Sequence, residues 1–148
     1  VIQMVEESGF PGMKVLEFAF DSREPSNYLP HNYDKNCVVY TGTHDNQTLR
    51  TWYYEMAEED RELAKEYMNL YGRSDEEIHW EFISLALSSV AMLAVIPVQD
   101  YLYLDSDARI NTPSTLGDNW TWRLTDEDFD EELISKIRKL CVLFGRSE

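Results

Sequence analysis

Cys37-Val38-Val39-Tyr40-Thr41-Gly42-Thr43-His44-Asp45-Asn46-Gln47-Thr48 is an apolar run that stops abruptly in a knot of small and polar residues. Cys37 to Tyr40 predicts a buried strand, because parallel strands covered on both faces are continuous apolar runs without alternation. A histidine, a carboxylate and an amide follow side by side at the strand's carboxyl end, where the ligand sites of α/β barrels and open sheets are built. Gln47 to Ala57 then places Leu49, Trp52, Tyr53 and Met56 three and four apart, the spacing of a helix with one buried face. His44, Asp45 and Asn46 are therefore expected at a strand-to-helix junction. The plainer reading of that junction is helix capping, since Asp and Asn are favoured N-caps and Thr-Gly-Thr is ordinary turn chemistry.

The flanking sequence repeats the pattern. Val1 to Ser8 has a helical spacing closed by Gly9, Phe10-Pro11-Gly12 is a tight turn, and Met13 to Phe20 predicts a first strand in which only Lys14 and Glu17 are polar. Asp21 to Asn36 is a polar loop with an aromatic and histidine cluster at Tyr28, His31 and Tyr33; at about 16 residues it exceeds the usual connection, and such loops are more often functional. Glu58 to Tyr71 predicts a charged amphipathic helix ended by Gly72. Ser74-Asp75-Glu76-Glu77 has the form of a capping box opening a helix to about Ser89, on which His79 is expected to be exposed or satisfied. Ala91 to Val98 predicts a third strand, with Gln99 and Asp100 at its end as His44 and Asp45 stand at the end of the second. The loop that follows carries Arg109, Asn111, Asp118, Asn119, Trp120, Trp122 and Arg123. Aromatic rings face the C–H side of a sugar while amides and carboxylates bond its hydroxyls, so this mix suits carbohydrate; the plainer alternative is that each Trp pins the loop to the core. Thr125-Asp126-Glu127-Asp128 caps a last helix reaching Phe144.

Strands alternating with helices predict a parallel sheet. Three strands cannot close a barrel, and alone they would leave two edges and much apolar surface exposed. With Val1 already inside a helical pattern and no initiating Met, the chain is expected to be part of something larger.

Composition narrows the partners. In 148 residues, 43% are hydrophobic, 13% aromatic and 28% charged, which is globular and neither disordered nor fibrous. A net charge of −15, from 28 acids against 13 bases, argues against nucleic acid and against an anionic membrane surface. The longest apolar run, Leu85 to Val98, is interrupted by Ser88, Ser89 and Pro97 and falls short of the roughly 20 residues of a membrane helix. Glu6 and Glu7 stand where the apolar part of a signal peptide would begin. Cys37 and Cys141 have no metal-ligand spacing and are expected as buried thiols in a reducing compartment, the cytoplasm.

Several stretches, in order, closely resemble the 4-α-glucanotransferases called amylomaltase or disproportionating enzyme. They are Gly9-Phe10-Pro11-Gly12-Met13-Lys14-Val15-Leu16, Leu29-Pro30-His31-Asn32-Tyr33, Val39 to Asn46, and Asn111-Thr112-Pro113 with Asn119-Trp120 and Trp122-Arg123. The resemblance covers nearly the whole chain. It implies an α/β fold, the carboxyl-terminal portion of a (β/α)8 TIM barrel with about three β/α units, incomplete on its own. It also implies transfer of α-1,4-glucan segments between maltooligosaccharides through a covalent glycosyl-enzyme intermediate, with one carboxylate as nucleophile, a second as acid/base and a third stabilising the oxocarbenium-like sugar. Asp45 matches the third carboxylate, His44 the neighbouring histidine that hydrogen-bonds the sugar, and Asn46 a support for both. His31, Asn32, Asn111 and Trp120 match motifs whose loops line the glucan groove, and Gln99 and Asp100 are expected groove residues at a strand end. No stretch matches the nucleophilic Asp or the acid/base Glu, which belong to earlier strands, so these residues alone are expected to be inactive. The implied partners are the glucan and either the missing amino-terminal part of the barrel or further copies of the chain; no metal or organic cofactor is implied. An α-glucan hydrolase of the same clan and a noncatalytic glucan-binding module are the competing readings.

Overall fold

The computed structural model describes residues 4 and 7–147, so most of the helix expected at Val1 to Ser8 lies outside the described residues. Gly9 takes the left-handed φ of +70° that suits the residue after a helix. Three strands, β1 (Gly12–Val15), β2 (Cys37–Tyr40) and β3 (Leu93–Val95), form one parallel sheet in that order. Gly12 pairs with Cys37 and Val15 with Tyr40, while Val38 pairs with Leu93 and Tyr40 with Val95.

That register gives the sheet two unlike faces, because alternate residues point to opposite sides. Cys37 and Val39 point toward a buried cluster with Leu16, Tyr33, Ala86 and Ala91. The opposite face carries Met13, Val38, Tyr40, Leu93 and Val95, and there Met13 is 60% and Leu93 52% exposed. The continuous apolar runs therefore do not mean burial on both faces among the described residues; one face is covered by helices and the other is open at Met13 and Leu93, although Val15 on it is buried.

The helices are α1 (Leu49–Glu55), α2 (Glu58–Tyr67), α3 (Ile78–Ser88), α4 (Val98–Tyr101) and α5 (Glu131–Leu143). A second core forms where α1, α2 and α3 meet the segment after β1, around Phe20, Leu49, Tyr53, Ala64, Leu70, Ile78 and Phe82. Phe82 is its centre, meeting the rings of Phe20, Trp52 and Tyr53 edge-on at 5.7, 5.4 and 6.0 Å.

Several elements are shorter than their patterns. The first strand stops at Val15 and Leu16–Phe18 is a 3₁₀ turn; the apolar run continues because Leu16, Ala19 and Phe20 bury under the helices. The third strand stops at Val95, and Pro97, with φ −55°, leads into α4, so Gln99 and Asp100 occupy the first turn of a helix. The capping box at Ser74 does not form: Glu77 is left-handed at φ +59°, α3 begins after it, and Ser74 Oγ accepts from the Glu76 N–H. The box at Thr125 does form but closes only the turn Asp126–Asp128, and Asp130 caps α5 by accepting from the Leu133 N–H at 2.7 Å. The cap of α1 is Thr48, which leaves Asp45 and Asn46 outside the helix and sets aside the capping reading of the junction. Cys37 is buried, but Cys141 is only half-buried. His79 is buried and its Nδ1 lacks a hydrogen-bond partner among the described residues, contrary to expectation; its ring stacks on Tyr103 at 4.2 Å, and burial, reinforced by Lys136, pushes it down to about 4. No helix among the described residues is long and apolar enough to cross a membrane.

Phe82→Ala is expected to cost about 3–5 kcal/mol, because the ring is fully enclosed and the cavity cannot close, whereas Met13→Ala on the open face should cost far less. Urea midpoints of the two variants check this, and equal costs would contradict the placement of the core.

Candidate active site

The turn after β2 is built on a buried floor. Thr41 and Gly42 are buried, and a Cβ on Gly42 would lie 2.6 Å from Glu17 Oε1 and 3.3 Å from Asn46 Cβ, so a larger residue there would push the Glu17 carboxyl aside. Asn46 folds back over the turn: its Oδ1 accepts from the Thr43 N–H at 3.0 Å and from Thr43 Oγ1 at 2.6 Å. The Asn46 N–H in turn donates to the Thr43 carbonyl at 3.1 Å. Asn side chains close turns in this way by mimicking the backbone. His44 and Asp45, between them, are raised to the surface with side chains 52% and 49% exposed.

Around Asp45 four other side chains converge. His44 Nε2 lies 3.3 Å from one carboxylate oxygen, and Asn111 Nδ2 donates to the other at 2.6 Å. The Asn111 N–H also donates to the His44 carbonyl at 3.1 Å. Arg109 ties the two loops together, donating from Nη2 to the Asp45 carbonyl at 2.7 Å and from Nε to the Asn111 carbonyl at 2.9 Å. Trp120 closes the cluster, its ring 5.0 Å from that of His44 and its backbone N–H donating to the Ile110 carbonyl at 2.7 Å. Beside it a groove of about 330 Å³ runs between Pro97, Val98, Gln99, Ile110, Trp120, Trp122 and Arg123. An exposed carboxylate at the rim of an aromatic groove can accept hydroxyl hydrogen bonds or face a developing positive charge.

The expected residues thus divide. His44, Asp45, Asn46, Asn111 and Trp120 come together. Gln99 forms part of the groove wall, but its amide is already engaged, donating to the Ala108 carbonyl at 3.3 Å. Asp100 is 2% exposed; it accepts from Thr41 Oγ1 at 2.5 Å and from the Leu49 N–H at 2.8 Å, so it supports the site from behind. His31 and Asn32 lie apart from the cluster: His31 Nδ1 meets Tyr67 Oη at 3.0 Å on α2, and Asn32 Nδ2 donates to Ser26 within its own loop at 3.1 Å. Sequence reasoning did not single out Thr41, Arg109 or Glu17 as parts of the site, although Thr41 lies within the Val39 to Asn46 motif, Arg109 lies within the carbohydrate-suited loop, and Glu17 stands as a charge inside an apolar run.

Burial pushes Asp100 up from 3.8 to about 6, against the opposing hydrogen bonds from Thr41 and Leu49. The folded chain therefore holds a proton that the unfolded chain releases earlier, and Asp100's contribution to stability falls as pH rises through that window. Asp100→Asn, whose amide oxygen can still accept from Leu49, is expected to flatten the decline by about 3 kcal/mol across the window. Urea unfolding at a series of pH values checks this, and an unchanged slope would contradict it.

Comparison with known proteins gives the family. Residues 1–128 match a family model described as 4-alpha-glucanotransferase. The 4-alpha-glucanotransferase of Clostridium butyricum is 46% identical over 148 residues, covering 99% of this chain and 30% of that protein. The enzyme of the same name from Thermus thermophilus is 43% identical over 138 residues, covering 90% of this chain and 28% of that protein. The solved structure of amylomaltase from Streptococcus agalactiae in complex with acarbose matches with a TM-score of 0.91 and 32% identity, over 99% of this chain and 30% of that one. The chain thus spans less than a third of the length of these relatives. With the family model matched over residues 1–128 of its 148, the chain belongs to the 4-alpha-glucanotransferase family.

Proposed function

We propose that residues 1–148 are the carboxyl-terminal part of a single catalytic TIM-barrel domain in a 4-α-glucanotransferase acting on α-1,4-glucans and maltooligosaccharides. The observation that carries the reading is the Asp45 carboxylate, held between His44 and Asn111 at the rim of the Trp120 groove. A sugar ring undergoing retaining transfer gains positive charge as the glycosidic bond breaks. A fixed carboxylate beside it stabilises that charge more in the transition state than in the ground state, which is what lowers the activation barrier. Asn111 on one oxygen and His44 near the other keep the carboxylate from turning away. His44 is placed to hydrogen-bond the same sugar, and Trp120 and Trp122 offer apolar faces to its C–H side.

The nucleophile and the acid/base belong to strands outside these residues. The open sheet face with Met13, Leu93 and Val95 is the surface against which those strands' side chains pack in the closed barrel; without them, the 148 residues are expected to self-associate. Transfer is favoured over hydrolysis because the relatives carry the glucanotransferase name. The free thiols of Cys37 and Cys141 support a reducing compartment such as the cytoplasm.

The test is a graft of residues 1–148 in place of the matching segment of the Clostridium butyricum enzyme, assayed for maltotriose disproportionation. The graft is expected to release glucose and longer oligosaccharides, and the 148 residues alone to release none. Asp45→Asn should lower kcat by about 10²–10³-fold. Full activity in that variant would show that Asp45 does not stabilise the transition state, and turnover by the 148 residues alone would place the catalytic pair within them. Trp120→Ala should raise KM by about 2–10-fold, the loss expected for one aromatic contact, with kcat much less affected.

A further inference from the structure

We propose that Glu17 is the positioning residue for Asp45, its carboxyl forming the floor on which the Gly42–Asn46 turn rests. The inference deepens the proposed function and rests on it. Glu17 sits just past β1, where its N–H donates to the Thr41 carbonyl at 3.1 Å and so fastens the end of one strand to the end of the next. Its side chain then runs beneath the turn, 7% exposed, at the point where Gly42 leaves no room for a Cβ. The Asn46 side chain hydrogen-bonds the Glu17 carboxyl, and Asn46 holds Thr43, whose Oγ1 accepts from the Asp45 N–H at 3.3 Å. Movement of the floor is therefore passed through Asn46 and Thr43 to Asp45.

The chemistry of that carboxyl is unlike that of Asp45. Its Oε1 is buried with no hydrogen-bond partner among the described residues. The groups facing it are Asp100 from α4, Arg109 from the loop beyond α4, and Asn46 from the turn. Burial first, then the charge of Asp100, push Glu17 up to about 9, with Asn46 and Arg109 opposing. At neutral pH it is an uncharged acid. A neutral floor leaves Asp45 as the negative group facing the sugar, and it has nearly the shape and hydrogen-bonding capacity of an amide.

That equivalence makes the role testable in the graft. Glu17→Gln is expected to keep kcat within about twofold. Glu17→Ala should lose about 10²-fold in kcat with KM nearly unchanged, the loss typical of a catalytic group displaced by about an ångström. Gly42→Ala should lose kcat as well, and Gly42→Ala combined with Glu17→Ala should recover part of it, because the new methyl enters the vacated space. Melting midpoints, recorded for every variant, show that rates are compared between folded proteins. Full kcat in Glu17→Ala, a loss in Glu17→Gln equal to that in Glu17→Ala, or a loss confined to KM would each overturn the proposal. Should Glu17→Ala not fold, Gly42→Ala decides, and unchanged kcat there would overturn it. An unmutated graft without disproportionation removes the glucanotransferase reading and this inference with it, whereas an active graft indifferent to Glu17→Ala removes this inference alone.

Discussion

The two oxygens of Asp100 hold two different segments: one accepts from Thr41 Oγ1 at 2.5 Å and the other from the Leu49 N–H at 2.8 Å. Thr41 is the last residue before the turn, and Leu49 is the first of α1. The loop that carries His44 and Asp45 is thus pinned at both ends to a single buried group. Closing a loop onto a fixed span costs entropy, and buried bonds to a carboxyl are strong enough to offset it. Asp100 itself is placed by Pro97, which turns the chain from β3 into α4. The site depends on this tie more than on any contact made at the surface.

Acidic groups on the two sides of the turn have different roles. Glu17 and Asp100 are both buried and pushed up, Glu17 far enough to be uncharged at neutral pH and Asp100 only to about 6, and both serve as supports through their hydrogen bonds and packing. Asp45 stays half-exposed among polar partners. Arg109 lies between the two sets, and its guanidinium bonds carbonyls of both loops while its charge reaches Glu17. Burial, more than residue type, decides which carboxyl serves as support and which faces the substrate.

The unlike faces of the sheet also follow from which surfaces are buried. Cys37 and Val39 pack against the helices, but Met13, Leu93 and Val95 share the other face and remain largely exposed. An apolar parallel face of this kind is covered in every closed barrel by side chains from the remaining strands. It accords with a chain that spans less than a third of its relatives' length.

The order of strands and helices, the parallel sheet and the grouping of His44, Asp45 and Asn46 at the end of β2 were determined by the sequence itself, because apolar runs, turn residues and helical spacing are local properties. Asn111 and Trp120 were legible from their loop's mix of amides and aromatic rings and from their motifs, but not their place beside Asp45. Tertiary structure decided the rest. It ended the first and third strands early, since Leu16 and Phe20 are apolar for the sake of the helix-side core and not of a strand, and Pro97 turns the chain into α4. It turned Asp100 from an expected groove residue into a buried tie and moved His31 and Asn32 to contacts with α2 and their own loop. It also assembled Asp45 with Asn111 across 66 residues and Thr41 with Asp100 across 59. No local pattern encodes such pairs: which carboxyl is buried, and what it touches, is settled only when distant segments pack and water is excluded between them.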